Sequence, residues 1–225
     1  MLKFYYSGAP NPTKVALMLE ETGLPYEPIP VDTRKGDQHK PDFLKINPNA
    51  KVPAIVDGDA TVFDSSACLL YLGEKTGKFL PAKTDKARGE LFSWMFFVSS
   101  GVGPYSGQSV HFRVYAPEKI EYAMNRYKNE ANRLYGVVNK RLGESKYLAC
   151  DEYTIADMAT VPWLRAPERQ GVNIDEYPAL KKWRDAILER PAVQRAVQVL
   201  AERRRPQMTD EQRKNLFGDA QYAKR

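Results

Sequence analysis

The sequence predicts a small α/β domain with a four-stranded mixed sheet, followed by an all-α domain. Two observations support this prediction. In the first 80 residues, short β-rich runs alternate with helical segments in the order βαβ and then ββα. After residue 88 the apolar residues recur only at helical spacing. We therefore predict an α/β domain at residues 1–82 and a helical domain at residues 88–225, joined by a charged linker.

The chain begins with a predicted strand at residues 2–6, and a helix follows after a short loop. Asn11 is the predicted N-cap of this helix, with a proline at the first helical position, where a missing N–H costs nothing. Gly23 is suited to end the helix in a left-handed conformation. A second strand at residues 26–31 contains two prolines, which predict a sheet edge. Strand, helix and strand in this order predict parallel pairing.

The next stretch predicts a hairpin that leads into a helix. After a helical turn at residues 41–46, a β-rich run at 52–56, an Asp-Gly-Asp turn and a return strand form the hairpin. Asp64, Ser65 and Ser66 then offer caps for an apolar helix. A strand, a turn, a strand and a helix start are therefore expected within thirty residues.

Pro53 lies just inside the first strand of this hairpin and cannot donate a hydrogen bond to the sheet. The backbone N–H and C=O of Val52 are therefore predicted to face outward, where an extended peptide can pair with them. The start of the following helix favours an anion, and Asp64 is suited to an ammonium group. Glutathione carries an amide backbone, a carboxylate and an ammonium group. The alternative interpretation is an ordinary hairpin followed by a capped helix.

Composition sets further bounds on the protein. With 225 residues, 43% of them hydrophobic, the chain can bury a substantial core. No apolar run approaches the roughly 20 residues of a membrane span, and no secretory signal is expected. The two cysteines, Cys68 and Cys150, give no disulfide framework. We therefore expect a cytoplasmic protein.

The net charge of +6 is distributed unevenly along the chain. Residues 1–83 hold ten basic and ten acidic residues, whereas residues 203–225 hold seven basic and three acidic residues. This basic tail begins with Arg203-Arg204-Arg205 and has two interpretations, a site for nucleic acid or anionic lipid and a solvated terminus. No recognition motif accompanies the charge, so nucleic-acid binding is not expected.

The second part of the chain is predicted to be helical throughout. Residues 83–86 form the linker, and Gly101, Gly103 and Pro104 are expected to interrupt the first helical stretch. The segment from Thr154 to Asp157 is a capping box in which aspartate stands in for glutamate. The predicted helices occupy residues 89–98, 117–142, 155–164, 178–188 and 191–200.

Several motifs follow one another in a fixed order. They are Ala9-Pro-Asn11, Lys35-Gly-Asp-Gln38, Phe43-Leu-Lys-Ile-Asn-Pro-Asn49, Lys51-Val-Pro-Ala-Ile-Val-Asp57, Leu69-Leu-Tyr-Leu72, Glu74-Lys-Thr-Gly-Lys-Phe-Leu80, Arg126-Tyr127, Glu130, Arg133-Leu-Tyr135, Asn139-Lys-Arg-Leu142 and Thr154-Ile-Ala-Asp157. With the order of elements, they resemble the cytosolic glutathione transferases, above all the bacterial nu class and the yeast nitrogen-regulator prion-like members. The resemblance implies a thioredoxin-like N-terminal domain and a helical C-terminal domain.

The resemblance also implies glutathione binding and assigns positions to it. Val52, before a cis Pro53, is expected to pair with the cysteinyl backbone of glutathione. Asp64 and Ser65 are expected to hold its γ-glutamyl end. For Ser65 the alternative interpretation is a helix cap without a ligand.

Four further positions follow from the same resemblance. Lys51 and Gln38 are expected to reach the glycyl carboxylate, Asn11 to lie near the sulfur, and Arg133 to reach the active site from the helical domain. Each has a structural alternative. Lys51 and Gln38 can be surface residues, Asn11 a helix cap, and Arg133 the partner of an acid on its own helix.

The sequence departs from the nu-class pattern near the expected sulfur position. Ala9 stands where those enzymes carry a threonine, so one hydroxyl donor is absent, and Ser7 is a candidate to replace it. The usual acid-serine-glycine motif reads Asp64-Ser65-Ser66. Cys150 replaces a glycine and is expected to be a loop thiol rather than a nucleophile.

No cysteine precedes the first helix, so bound glutathione must supply the reactive thiol. The thiolate is the reactive species, and an ordinary thiol with a pKa near 8.5 is mostly protonated at pH 7. A positive helix end and nearby donors lower that pKa. Asn11 cannot take the proton, so its expected role is to donate a hydrogen bond to the thiolate.

The resemblance implies glutathione-dependent reduction of small disulfides or organic hydroperoxides, with weaker conjugation to electrophiles and no metal. The alternative is a regulatory protein that binds glutathione without turnover. The alanine at position 9 favours this alternative, whereas the lack of a long polar prion-like extension disfavours it. We expect a homodimer, with a second-substrate pocket lined by helical-domain residues such as Gln108, His111 and Phe112.

Overall fold

The computed structural model describes residues 1–201 and 208–222. The chain divides into two compact units, one of Met1–Lys75 with Gln194–Arg225 and one of Thr76–Val193. The boundaries predicted at residues 82 and 88 are those of domains that fold separately. The two compact units do not test separate folding, so these boundaries stay predictions. Arg203-Arg204-Arg205, the start of the predicted basic tail, lies outside the described residues.

The first unit is built on a four-stranded mixed sheet, as predicted. The strands are β1 (Leu2–Tyr6), β2 (Tyr26–Pro30), β3 (Ala54–Asp57) and β4 (Ala60–Phe63). They lie in the order β2-β1-β3-β4, with β1 parallel to β2 and the other pairs antiparallel. The two prolines of β2 therefore lie in an edge strand, where a missing N–H does not break a ladder.

The first helix, α1 (Pro10–Thr22), begins earlier than predicted. Its N-cap is Ala9, whose backbone is extended at φ −112° and ψ 162°, and Asn11 is the second helical residue. The prediction of Asn11 as the N-cap was therefore wrong. The physical reason is that Pro10 itself has the backbone angle of a first helical residue and needs no hydrogen-bond acceptor there. Gly23 ends α1 at φ 71°, as predicted.

Two more helices complete this part of the first unit. They are α2 (Pro41–Ile46), at the predicted position, and α3 (Ser65–Thr76). The apolar core combines side chains from β1, α1, β3 and α3. Its members, each at most 2% exposed, are Leu2, Phe4, Val15, Met18, Leu19, Ile55, Leu69 and Leu72.

The second unit is helical throughout, as predicted. Its helices are α4 (Asp85–Phe97), α5 (Gly103–Val110), α6 (Glu121–Glu144), α7 (Ile155–Leu164) and α8 (Pro178–Leu188). Along the chain α9 (Pro191–Ala201) and α10 (Asp210–Phe217) follow.

The predicted interruption of the first helical stretch was wrong. A π-helical segment, Val98–Val102, joins α4 to α5, and a second one, His111–Tyr115, follows α5. Gly103 and Pro104 lie in the first turn of α5, where a proline disturbs the helix least. The wider turns of the two π-helical segments let the chain continue as a helix before and after α5.

Two other helix starts also differ from the prediction. Thr84 is the N-cap of α4 and accepts a hydrogen bond from the N–H of Ala87 at 3.2 Å, so three of the four residues of the predicted linker, 84–86, are helix or cap. Helix α6 begins at Glu121 rather than at Pro117.

Helix α7 begins with the predicted capping box. The buried carboxylate of Asp157 accepts hydrogen bonds from the N–H of Thr154 at 3.1 Å, the N–H of Leu148 at 3.1 Å and the indole of Trp183 at 2.9 Å. Burial nevertheless raises the pKa of Asp157 to about 6. This one side chain thus joins the loop before α7 to α8.

Candidate functional site

The strand ends that carry the expected site residues lie at one end of the sheet. Tyr6 is opposite Pro30, and Ala54 is opposite both Tyr5 and Phe63. The segments after β1, β2 and β4 and the segment before β3 therefore share that end. Their expected site residues are Ser7, Asn11, Gln38, Lys51, Val52, Pro53, Asp64 and Ser65.

Val52 lies before β3, beyond the last paired residue of the sheet. The peptide bond between Val52 and Pro53 is cis, as the resemblance implies. Within the described residues, the N–H and C=O of Val52 have no hydrogen-bond partner. Asn47, 1% exposed, holds this loop, because its Nδ2 donates to the carbonyl of Lys51 at 2.6 Å and its Oδ1 accepts from the N–H of Asn49 at 2.9 Å. Val52 therefore offers a backbone pair to an extended peptide.

Asp64 caps α3 and adopts φ 71°, which is uncommon for a residue other than glycine. Its Oδ1 accepts hydrogen bonds from the N–H groups of Ser66 at 2.8 Å and Ala67 at 3.1 Å. Ser65 is the first residue of α3 and is 4% exposed. The predicted cap is thus Asp64, and the hydroxyl of Ser65 is buried at the positive end of the helix.

Lys14 is a candidate that the reasoning from sequence missed. It lies on α1, is 2% exposed, and its Nζ donates to Ser65 Oγ at 3.2 Å. Burial lowers the pKa of Lys14 to about 8, although the charge of Asp64 acts in the opposite direction. The hydroxyl oxygen of Ser65 accepts the hydrogen bond from the ammonium group. The hydroxyl hydrogen of Ser65 can therefore donate a hydrogen bond to another acceptor. The feature of the sequence that could have identified Lys14 is its position directly before the apolar run at residues 15–19.

Ser7 and Asn11 flank the start of α1. Ser7 follows β1, and its carbonyl accepts a hydrogen bond from the N–H of Ala9 at 2.9 Å. Asn11 is half-buried in the first helical turn, close to the positive end of the helix dipole. Both expected residues therefore lie at the same sheet end as Val52, while Ala9 contributes only a methyl group there.

The two residues expected at the glycyl end both contact the C-terminal part of the first unit. Gln38 is 4% exposed, and its Nε2 donates to the carbonyl of Asn215 at 3.4 Å. Its alternative interpretation as an ordinary surface residue was therefore wrong. Lys51 is exposed, and its Nζ donates to Gln221 Oε1 at 2.7 Å.

The second unit carries the remaining expected residues. Arg133 lies on α6, and its Nε and Nη2 donate to the carboxylate of Glu130 at 2.9 and 2.6 Å. Glu130 is an acid on the same helix, as the alternative interpretation of Arg133 predicts. A role of Arg133 in the active site stays a prediction. Gln108 lies in α5, and His111 and Phe112 follow it with ring centroids 5.2 Å apart. Burial lowers the pKa of His111.

The chain's own thiols are poor nucleophiles. Burial raises the pKa of Cys68 to about 12 and also raises the pKa of half-buried Cys150. In residues 1–201 and 208–222, no group of three or more His, Cys, Asp or Glu side chains is placed to hold a metal ion. None of the described helices has the length and apolarity required to cross a membrane.

Comparisons with known proteins agree with this arrangement. The family described as "Glutathione S-transferase, N-terminal domain" matches residues 9–75, and "Glutathione S-transferase, C-terminal domain" matches residues 94–191. Disulfide-bond oxidoreductase YfcG of Escherichia coli K12 is 45% identical over 204 residues, covering 88% of this chain and 94% of YfcG.

Two other relatives extend the comparison. Transcriptional regulator URE2 of Saccharomyces cerevisiae is 35% identical over 235 residues, covering 86% of this chain and 66% of URE2. A glutathione transferase family member from Pseudomonas fluorescens pf-5, crystallised with two glutathione bound, superposes with a TM-score of 0.82 at 39% identity, covering 87% of this chain and 92% of the other. The two matched domains together span more than half of the 225 residues, and the chain belongs to the glutathione S-transferase family.

Proposed function

We propose that the protein binds glutathione and uses its thiol to reduce small disulfides and organic hydroperoxides, with weaker conjugation to electrophiles. Three features of the first unit match the three parts of glutathione. They are the backbone of Val52 for the cysteinyl amide, the start of α3 at Ser65 for the γ-glutamyl end, and Gln38 with Lys51 for the glycyl carboxylate. The names of YfcG and of the Pseudomonas fluorescens structure with two glutathione support this proposal.

The observation that carries the proposal is the backbone of Val52. Its N–H and C=O lack a partner in the part of the chain that the structure describes, and buried Asn47 holds the loop that presents them. An unpaired donor and acceptor on one residue match the backbone of a short peptide, which supplies one acceptor and one donor at the same spacing.

The γ-glutamyl end meets groups of both charges. Its α-carboxylate is suited to the hydroxyl of Ser65 and the ammonium of Lys14, at the positive end of α3. Its α-ammonium is suited to Asp64, whose carboxylate is exposed. Because the first contact is buried and the second is exposed, Ser65 and Lys14 are expected to contribute more to affinity than Asp64 does.

Disulfide reduction by bound glutathione takes place in two balanced steps. The glutathione thiolate attacks one sulfur of the substrate disulfide, which forms a mixed disulfide and releases the other sulfur as a thiolate that takes up a proton. The thiolate of a second glutathione then attacks the mixed disulfide, which yields glutathione disulfide and the second substrate thiol. The two electrons come from the two glutathione thiols, so the chain needs no redox-active cysteine of its own.

A hydroperoxide is reduced by the same bound thiolate. The thiolate attacks the terminal oxygen and breaks the O–O bond, so the alcohol leaves after protonation and glutathione becomes a sulfenic acid. A second glutathione thiol condenses with it and releases water and glutathione disulfide. Asn11 assists both reactions by stabilising the first thiolate through a hydrogen bond at the start of α1.

Replacing Ser65 with alanine tests the site. We expect kcat/KM for a small mixed disulfide and for cumene hydroperoxide to fall roughly 10- to 100-fold, because a hydrogen bond to a charged group contributes about 1.5–3 kcal/mol. The matched control is Ser66→Ala on the same turn of α3, which removes a neighbouring hydroxyl, keeps the hydrogen bond from Lys14 to Ser65, and is expected to change kcat/KM little.

Wild-type rates at the uncatalysed background for both substrates would refute the enzymatic proposal. Equal losses in the Ser65 and Ser66 variants would refute the placement of the γ-glutamyl end. Calorimetric binding of S-methylglutathione separates the two cases, because a protein that binds without turnover still shows a Ser65-dependent affinity.

Replacing Asn11 with alanine is expected to raise the thiol pKa of bound glutathione by about one unit, which corresponds to about 1.4 kcal/mol of lost thiolate stabilisation. The absorbance of the thiolate near 240 nm, followed against pH, gives this pKa. Asn11→Asp keeps the volume of the side chain, cannot donate and adds a negative charge, so a larger increase is expected. If the thiol pKa of bound glutathione is unchanged in both variants, a group other than Asn11 donates the hydrogen bond to the thiolate.

A second candidate function is glutathione binding for regulation, without useful turnover. The observation that favours it is Ala9, the N-cap of α1, which supplies no hydroxyl at the start of the helix. The name of URE2, a transcriptional regulator, supports the same candidate. Tight binding of glutathione together with background turnover would select it over the enzyme.

The protein is also proposed to be a cytoplasmic homodimer. Exposed aromatic residues support an assembly, since Phe96 on α4 is 69% exposed and Phe63 on β4 is 42% exposed. Nucleic-acid binding is not proposed.

A further inference from the structure

Residues 208–222, here called the C-terminal segment, form a helical unit with its own end contacts. Thr209 Oγ1 accepts from the N–H of Gln212, and Gln212 Oε1 accepts from the N–H of Thr209, both at 3.2 Å. Gly218 ends α10 so tightly that a Cβ there would lie 2.6 Å from the carbonyl oxygen of Lys214. The shape of the segment is therefore set by contacts within itself.

Asn215 attaches this segment to the loop after β2, within the first unit. Its Nδ2 donates to the carbonyl of Arg34 at 2.8 Å, and its side chain packs over Gly36, 3.8 Å from where a Cβ on that glycine would lie. The carbonyl of Asn215 accepts from Gln38 Nε2 at 3.4 Å and lies at the same distance from His39 Nε2. Gln38 Nε2 also lies 3.1 Å from His39 Nε2, so Asn215 occupies one of the two N–H donors of this amide.

Gln221 makes the second attachment. Its Oε1 accepts a hydrogen bond from Lys51 Nζ at 2.7 Å. Gln38 and Lys51 are the two residues proposed for the glycyl carboxylate of glutathione. The C-terminal segment therefore contacts the donors of both residues with oxygen atoms, as a carboxylate would.

We propose that the C-terminal segment is a displaceable occupant of the glycyl end of the site, and that the glycyl carboxylate of glutathione competes with it for Gln38 and Lys51. This inference rests on the proposed glutathione site. Glutathione then binds only the molecules in which the segment is released. Its apparent affinity equals the intrinsic affinity multiplied by the fraction of such molecules. It also makes glutathione binding and release of the segment a single coupled event.

The oxygens that the segment supplies are suited to displacement. Lys51 is paired with a neutral amide oxygen, and Gln38 with a backbone carbonyl at the long end of hydrogen-bond distances. A carboxylate is a stronger acceptor for both donors. In addition, Gln38 Oε1 is buried without a partner among the described residues, so the segment does not satisfy this amide fully.

The test uses the full chain with Asn215→Ala and Gln221→Ala combined. We expect glutathione affinity, measured by calorimetry, to rise about threefold to tenfold, because the competent fraction of the site increases. The matched control is Tyr222→Ser, a neutral change next to Gln221 at a side chain that is 77% exposed. Its glutathione affinity is expected to equal that of the wild type.

A second ligand identifies the glycyl end as the point of competition. γ-Glutamylcysteine lacks the glycyl residue, so it does not compete with the segment. Its affinity is expected to be the same in the double variant and in the wild type, which also shows that the variant site is folded. Hydrogen exchange of the α10 amides is expected to speed up when glutathione is added and to stay unchanged with γ-glutamylcysteine.

Three results would overturn the inference while glutathione still binds in a Ser65-dependent manner. They are unchanged glutathione affinity in the double variant, an equal rise for both ligands, and slower exchange of the α10 amides with glutathione, which would make the segment a lid that closes over the ligand. Absence of glutathione binding in the wild type and the double variant would overturn the proposed function and this inference together.

Discussion

Replacing Lys14 with methionine is expected to stabilise the protein and, at the same time, to weaken its binding of glutathione. The ammonium group lies buried beside Ser65, where its loss of hydration outweighs the attraction of Asp64, and a negatively charged ligand group would offset that loss. Without that ammonium, we expect the affinity for S-methylglutathione to fall roughly 10- to 100-fold, since a charge-assisted hydrogen bond contributes about 1.5–3 kcal/mol. Calorimetry measures this loss directly.

The stability of the ligand-free protein is expected to change in the opposite direction. The pKa of Lys14 is lowered from 10.5 to about 8, so at pH 7 the folded protein holds a charge that burial disfavours. Methionine has a similar length and no charge, and we expect the free energy of unfolding to rise by about 1–3 kcal/mol. Lys3→Met, at an exposed lysine of β1, is the control and is expected to leave stability nearly unchanged.

The pH dependence gives a second readout for Lys14. Between about pH 8 and pH 10.5 the unfolded chain holds the proton of this lysine while the folded chain has lost it, so the contribution to stability rises with pH. The advantage of Lys14→Met is therefore expected to be largest below pH 8 and to shrink as the pH rises. An advantage that is constant across this range, or a destabilised variant with full affinity, would contradict the assignment.

The sequence predicted the sheet and the helix start after it well because their signals are local. Proline, glycine and alternating apolar residues marked the strands and turns within a few residues of their observed bounds, and the helix start at Asp64 and Ser65 followed from capping residues. The backbone of Val52, which has no partner among residues 1–201 and 208–222, followed from one proline in a strand. Each of these predictions depends on neighbours along the chain.

The predictions that failed depend on longer-range structure or on competition between similar residues. Gly103 and Pro104 resemble a helix break, but π-helical turns on either side of α5 keep the path helical. Asn11 is a better capping residue than Ala9, yet Pro10 fixes the helix start before it. The contact of Gln38 with Asn215 joins residues 177 positions apart, and no local pattern encodes it.

Lys14 illustrates why binding residues escape sequence reasoning. A lysine on a helix is usually interpreted as a solvent-exposed residue, and only the packing of α1 in the first unit shows that this one is buried. A buried charge that destabilises the free protein is expected where a ligand of opposite charge binds. The energetic cost of Lys14 is therefore itself an argument for the site at Ser65.

Replacing Asp157 with alanine is expected to lower the free energy of unfolding by about 3–5 kcal/mol, more than any of the other replacements. The reason is that three buried donors would lose their acceptor, namely the N–H of Leu148, the N–H of Thr154 and the indole of Trp183. Asp157→Asn keeps the volume but turns one of the two oxygens into a donor, so we expect an intermediate loss. Asp85→Ala, at an exposed aspartate in the first turn of α4, is the control.

Denaturant unfolding at several pH values tests the role of the Asp157 charge. The pKa of Asp157 is raised from 3.8 to about 6, so between these values the folded state binds the proton more tightly than the unfolded chain does. The contribution of Asp157 to stability is then fully present below about pH 3.8 and falls as the pH rises to about 6. The stability difference between wild type and Asp157→Asn should narrow over that range, whereas a widening difference would mean that the three donors hold the carboxylate charged and outweigh its burial.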